Sequence, residues 1–186
     1  MKRLFDIIFS CLFLVITFPF LLIVSIAIKL DTKGPVFFVS SRIGLNNDEF
    51  KMLKFRTMFI GTELVATHKI KNVNKKITTV GEILRRYSID EIPQFLSVIN
   101  GKMSIVGPRP VLPSQKDLII SRTKLQINVI KPGITGLAQI KGRDKITASQ
   151  KLSFDLEYLR NYSFFNDLKI IFKTAIVVLQ KKNISH

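Results

Sequence analysis

From Ile7 to Ile28 the chain reads IIFSCLFLVITFPFLLIVSIAI, with no charged side chain anywhere in the run. At roughly 1.5 Å per residue this makes about 33 Å of helix, enough to cross a hydrocarbon core of about 30 Å. The run is longer than the apolar stretch of about 7–15 residues in a secretory signal, and no small-residue cleavage site follows, so a membrane segment is the better reading. Pro19 falls near its middle, where it removes one helical hydrogen bond and crowds the preceding turn, which predicts a kink or break. Lys2 and Arg3 precede the segment while Lys29, Lys33 and Arg42 follow it, so the positive-inside tendency chooses no direction. A segment that enters, bends at Phe18-Pro19 and leaves on the same side satisfies both features; an ordinary spanning helix with a tolerated proline is slightly favoured by sequence physics alone. Arg3 and Asp6, three apart on one helical face, are placed to pair with each other.

Past Leu30 the pattern changes to that of a compact domain, dividing the chain into a membrane-inserted segment, 1–30, and a second unit, 31–186. After the Gly34-Pro35 turn, Val36–Val39 and Phe50–Phe55 read as strands joined through a turn at Gly44-Leu45-Asn46-Asn47, which predicts a small hairpin. Residues 61–79 are polar and Lys-rich without sustained periodicity, the pattern of a mobile loop. Gly81–Tyr87 and Asp90–Ile99 predict two short helices, the second stopped by Asn100-Gly101. Gly107-Pro108-Arg109-Pro110 is a rigid loop, because two prolines fix the backbone around the arginine. Helices are predicted over Pro113–Lys124 and Ser149–Asn161, with chain breaks at Pro132-Gly133 and Gly136. The last helix, Phe164–Lys182, sets Phe165, Leu168, Ile171, Phe172, Ala175, Val178 and Leu179 at helical spacing, which suits a core helix and a helix lying in the membrane interface equally. The expected class is mostly α with a small β element, α+β.

The chain has 186 residues, 29 Lys and Arg against 13 Asp and Glu, and a formal charge of +16, which points to an anionic partner: nucleic acid, anionic lipid or a phosphorylated substrate. A single cysteine, Cys11, and two histidines exclude an internal disulfide framework and a structural zinc site. Nucleic-acid binding finds no zinc-finger spacing, RNP-like aromatic motif or basic heptad helix to support it, and an apolar segment is unexpected there. A non-catalytic, single-pass, membrane-anchored basic scaffold is the other alternative, and it leaves the following residues unexplained.

The acids are few, which narrows the search for chemistry. Asp90 and Glu91 lie side by side in Tyr87-Ser88-Ile89-Asp90-Glu91-Ile92-Pro93-Gln94, after Arg85 and Arg86. Such a pair at a helix start can simply complement the macrodipole, the ordinary explanation of an acidic dipeptide. Its functional reading divides labour, one carboxylate attacking while its neighbour holds a divalent cation, Mg²⁺ being suited to hard oxygen ligands together with substrate phosphates and water. Arg109, held between prolines, presents a planar fork suited to phosphate. Lys54 and Arg56 add charge on a short strand, where alternation predicts that they share a face.

Together these residues carry a resemblance. The apolar segment with its mid-run proline, Lys54-Phe55-Arg56-Thr57-Met58, Ser88 to Gln94, Gly101-Lys102-Met103-Ser104-Ile105-Val106-Gly107-Pro108-Arg109-Pro110 and Lys131-Pro132-Gly133-Ile134-Thr135-Gly136-Leu137-Ala138-Gln139 resemble, in this order, the bacterial sugar transferases known as monotopic phosphoglycosyl transferases. The likeness covers nearly the whole chain and implies a minimal catalytic core without the additional transmembrane helices of longer members. It implies transfer of a sugar 1-phosphate from a UDP-sugar to undecaprenyl phosphate with release of UMP, the first membrane step of surface glycan assembly, at the cytoplasmic face of a bacterial inner membrane. Matched position by position, Asp90 corresponds to the nucleophile and Glu91 to the neighbouring carboxylate that helps bind Mg²⁺. Arg109 corresponds to a phosphate-binding arginine, while Lys54, Arg85 and Arg143 correspond to basic residues around the substrate. The resemblance also favours the re-entrant helix broken at Pro19. Ser40, where many members carry glutamine, the missing acid around Phe59 to Thr62 and Ala148 at a frequent tryptophan position depart from the pattern. The sugar, the polyprenol length, the glycan pathway and homo-oligomer formation are left open.

Overall fold

The computed structural model describes residues 1–62, 73–142 and 146–180. The apolar run lies within one helix, α1 (Lys2–Asp31), which is helical through Pro19. Any bend at the proline is therefore absorbed inside the helix rather than made by a loop. Thr17 and Ser25 donate to the carbonyls of Phe13 and Leu21 at 2.6 and 2.7 Å, so these two hydroxyls are satisfied by the preceding turn.

Both ends of α1 are fastened to the body formed by the following residues. At its start Lys2 pairs with Asp167 and donates to the carbonyl of Val106, and Tyr158 donates to the same two groups. The Arg3 guanidinium donates to the carbonyls of Val98 and Ile99 at 2.6 and 2.9 Å, and Asp6 accepts from Ser104 Oγ at 2.8 Å. The expected Arg3–Asp6 pair is absent among the described residues: each side chain finds buried main-chain or hydroxyl partners that no one-turn pairing offers. At the other end Asp31 accepts from the Val80 amide at 3.0 Å, and Arg56 donates to Thr32 Oγ1 and the Thr32 carbonyl at 2.6 and 2.9 Å. Between these fastenings Leu12, Val15, Ile16, Phe18 and Ile23 are exposed.

After α1 come β1 (Phe37–Ile43) and β2 (Glu49–Phe55), an antiparallel hairpin pairing Phe38 with Lys54 and Arg42 with Phe50. Both strands are longer than the apolar clusters alone predicted. Their connection is a 3-10 turn, Leu45–Asn47, with Asn46 and Asn47 at left-handed φ of 52° and 66°, a conformation asparagine tolerates. Of the Lys-rich stretch 61–79, residues 63–72 lie outside the described residues. In the described part Val73–Lys76 makes one helical turn, α2, and Ile77 bridges to Met58.

α3 (Thr79–Arg86) starts at Thr78, whose hydroxyl accepts from the Gly81 amide at 3.0 Å. Ser88 then turns the chain at a φ of 56° into a 3-10 helix, Ile89–Gln94, continued by α4 (Phe95–Ile99). The expected helix over Asp90–Ile99 is thus two shorter pieces of different pitch. β3 (Ser104–Val106) pairs in parallel with β4 (Gly133–Thr135), a contact hidden in the sequence behind Pro and Gly breaks. Its glycines allow the approach: a Cβ on Gly133 would stand 2.1 Å from the Gly107 nitrogen. α5 (Lys116–Lys124), α6 (Leu137–Lys141), α7 (Ala148–Arg160) and α8 (Phe164–Leu179) complete a fold of the expected α+β class.

The main core joins Phe50, Met52, Phe95, Val98, Met103, Ile105, Val106, Tyr158 and Ile170, and Phe5, Phe9, Phe13 and Leu14 of α1 pack on it. A second cluster joins Val24 and Ile28 to Phe55 and Leu84, so each half of α1 has its own apolar seat. α8 buries Asp167 and Ile170 and leaves Phe165, Leu168, Phe172, Ile176 and Leu179 exposed along one side. That side has the character of the interfacial alternative considered for this helix.

Candidate active site

β2 carries Lys54 at its penultimate position, with its side chain towards the 3-10 helix that bears Asp90 and Glu91. The Lys54 ammonium reaches Glu91 Oε1 at 2.7 Å and Asp90 Oδ2 at 3.8 Å. Arg109 reaches the same Glu91 oxygen at 3.1 Å. Both carboxylates are only 7% exposed, whereas the Arg109 side chain is 38% exposed. The result is a buried acidic pair roofed by two cations, one largely covered and one open to solvent.

Burial pushes the Lys54 ammonium below its ordinary value, and the charges of Glu91 and Asp90 oppose that fall. A lysine in this position stabilises negative charge only because the two acids compensate its desolvation. Mg²⁺ requires one or two carboxylates and completes its shell with phosphates and water, so the oxygens of Asp90 and Glu91 form a fitting donor set. Among the described residues there is no cluster of three His, Cys, Asp or Glu, so further ligands would come from a bound substrate and water.

The Arg109 loop is held from behind. Arg122 on α5 donates to the Arg109 carbonyl at 2.8 Å and pairs with Asp155 on α7 at 2.6 Å. Gly107 donates to the Thr135 carbonyl, and a Cβ there would stand 2.3 Å from the Lys131 carbonyl oxygen, while the Ile43 amide donates to the Val111 carbonyl at 2.9 Å. The last bond ties the loop to the end of β1 and sets Arg42 close by.

Lys54, Asp90, Glu91 and Arg109 are therefore gathered in one place, as their motifs suggested. Arg85 lies in the last turn of α3, ahead of the acidic pair, and forms no ion pair among the described residues. Arg143 lies outside the described residues. The expectation that Lys54 and Arg56 share a face is corrected: β2 ends at Phe55, and the Arg56 side chain turns back to Pro35 and Thr32, where it secures the end of α1. Arg42, Arg122 and Asp155 were missed. Arg122 and Asp155 stand in no motif, and Arg42 stood out only as a charge following the apolar segment.

The profile of the bacterial sugar transferase family matches residues 1–181. The chain is 39% identical, over 95% of its length and 84% of the relative's, to the exopolysaccharide production protein ExoY of Rhizobium meliloti. It is 42% identical to the UDP-glucose:undecaprenyl-phosphate glucose-1-phosphate transferase of Klebsiella pneumoniae, matching 94% of this chain but 39% of that protein. The transferase of the same description from Caulobacter vibrioides is 35% identical, over 98% of this chain and 71% of the relative.

Proposed function

The chain belongs to the bacterial sugar transferase family, and from that premise we propose that it moves a sugar 1-phosphate from a UDP-sugar to undecaprenyl phosphate and releases UMP. The observation that carries this reading is the buried Asp90-Glu91 pair beneath Lys54 and Arg109. Asp90 attacks the sugar-bearing phosphorus of the donor; an aspartyl–phosphosugar bond forms as the diphosphate P–O bond breaks and UMP departs. A phosphate oxygen of the lipid acceptor then attacks the same phosphorus, the aspartyl bond breaks, and the Asp90 carboxylate is restored. Splitting the transfer lets the soluble product leave before the lipid arrives.

Phosphoryl transfer depends on positioning and charge neutralisation more than on covalent assistance. Lys54 lies where charge collects between donor and dyad, and Arg109, partly exposed, is available to a phosphate arriving from solvent. Glu91, oriented by both, is the carboxylate assigned to Mg²⁺, with Asp90 beside it. Mg²⁺, when bound, neutralises charge on the donor diphosphate. Arg85 and Arg143 retain their assignment to the substrate surround.

The re-entrant topology belongs to the same proposal. α1 would be about 45 Å long if straight, yet both its ends are bonded to one polar body. A spanning orientation would set the Asp167 and Thr32 fastenings on opposite sides of the bilayer and draw buried charges with them, at a cost of several kcal/mol per unsatisfied group. A helix that dips into one leaflet keeps both fastenings on one side, here the cytoplasmic face of the inner membrane where the donor is found. It also holds the dyad near headgroup depth, which a polyprenyl phosphate requires because each buried methylene is worth about 0.8 kcal/mol.

The test is release of UMP from a panel of UDP-sugars, UDP-glucose first, by the purified chain with undecaprenyl phosphate and Mg²⁺. The expected result is acceptor-dependent UMP that EDTA abolishes and Mg²⁺ restores. Folded protein releasing no UMP from any donor would return the anchored basic scaffold as the better account.

A further inference from the structure

We infer that Arg42 is a second phosphate-binding arginine of the donor site, facing Arg109 so that a diphosphate is held between two guanidinium groups. The inference rests on the proposed donor reaction and extends it to a residue outside the motifs.

The hairpin places Arg42. Side chains alternate along a strand, so Phe38, Ser40 and Arg42 share one face of β1, and the pairing of Phe38 with Lys54 and of Ser40 with Met52 sets Lys54 on that same face. It is the face turned to the 3-10 helix of Asp90 and Glu91. The next residue, Ile43, bridges to Val111, two positions past Arg109, which brings the Arg42 end of the strand against the arginine loop. Arg42 is thus fixed beside the site from two directions.

Its electrical setting is that of a group awaiting an anion. Arg42 is half-buried, and among the described residues no carboxylate forms an ion pair with it; its Nε makes a long hydrogen bond, 3.4 Å, to Ser40 Oγ. Burial and the facing Arg109 charge push it down to about 10, only partly offset by Glu91. Two guanidinium groups whose charges oppose each other favour an anion between them, and the planar forks suit the non-bridging oxygens of adjacent phosphates. A diphosphate supplies those oxygens with the required charge.

The experiment uses the full chain in detergent, with melting temperature measured alone and with UDP or inorganic pyrophosphate, and with donor kinetics in parallel. Arg42→Gln is expected to melt no lower than wild type by itself, since it removes a buried charge that has no acidic partner. It should lose most of the stabilisation by UDP and pyrophosphate, and kcat/KM for the UDP-sugar should fall about tenfold or more, mainly through KM. Arg42→Lys should recover part of the binding. Wild-type donor KM and wild-type stabilisation by both probes in Arg42→Gln would overturn the inference, as would a loss of activity that tracks a lowered melting temperature. Pyrophosphate stabilisation that depends on Arg42, in a protein that turns over no UDP-sugar, would sustain the diphosphate site and refute the proposed reaction.

Discussion

Arg122 donates to the main-chain carbonyl of Arg109 at 2.8 Å while its other amino group pairs with Asp155 at 2.6 Å, the Arg122 and Asp155 side chains both being nearly sealed from solvent. α5 and α7 therefore act on the acidic pair indirectly, by fixing the backbone from which the Arg109 side chain extends. The prolines on either side of Arg109 limit the loop's own freedom, and the buried pair sets its place.

This arrangement separates stability from activity. Asp155→Ala should cost about 3–5 kcal/mol of stability, because it strands a buried guanidinium. Replacing both members, Arg122→Met with Asp155→Leu, should restore much of that stability, since apolar pairs of similar volume often match a buried ion pair. Activity should stay reduced about tenfold in the double variant, because the Arg109 carbonyl has lost its donor. Urea melts and donor kinetics on the three proteins check this, and a stable double variant with full activity would refute the positioning role.

Burial raises the Asp155 carboxyl above 3.8, against the pull of Arg122. A group that binds its proton more tightly when folded contributes most to stability below its unfolded value, and that contribution fades as the pH climbs through the raised folded value. Asp155→Asn removes the titration. The wild-type stability relative to Asp155→Asn should accordingly decline from pH 4 towards neutrality, and denaturation midpoints that run parallel across that range would contradict the assignment.

The candidate site was legible in the sequence to the extent that its parts are local. Asp90-Glu91 and the proline-flanked Arg109 declare themselves by spacing, and Lys54 by its place in a short charged strand. Arg42 did not, because its relation to Arg109 arises from a strand bridge between residues 43 and 111. Arg122, Asp155, Asp6 and Asp167 are single charges whose partners lie far along the chain, and no local periodicity marks such pairs. Arg56 was misplaced because alternation holds only while the strand lasts, and β2 stops one residue earlier. The same limit hid the β3–β4 pair: three-residue strands beside Gly107-Pro108 and Pro132-Gly133 look like breaks until they are seen against each other.

Topology has its own test. Single cysteines at positions 2 and 33, in a Cys11→Ser background, should both resist an impermeant thiol reagent in intact cells and react after lysis. Labelling of position 2 from outside would establish a spanning α1 and dissolve the argument from its two fastened ends.

Arg109→Lys distinguishes a phosphate fork from a surface charge. An ammonium can still neutralise Glu91 but cannot grip two phosphate oxygens in one plane, so donor kcat/KM should fall by about tenfold or more. Kinetics near wild type would return Arg109 to a role in loop structure.

The central claim is that Asp90 carries the sugar phosphate. Wild-type protein incubated with its UDP-sugar and Mg²⁺, without lipid acceptor, should gain the mass of one phosphosugar on the peptide that contains Asp90. Asp90→Asn, nearly isosteric, should keep the fold, gain no mass and lose turnover. Fragment-ion mass spectrometry reads the result directly: the account predicts the added mass on Asp90, and its appearance on Glu91, or its absence from an enzyme that is fully active when acceptor is added, would contradict it.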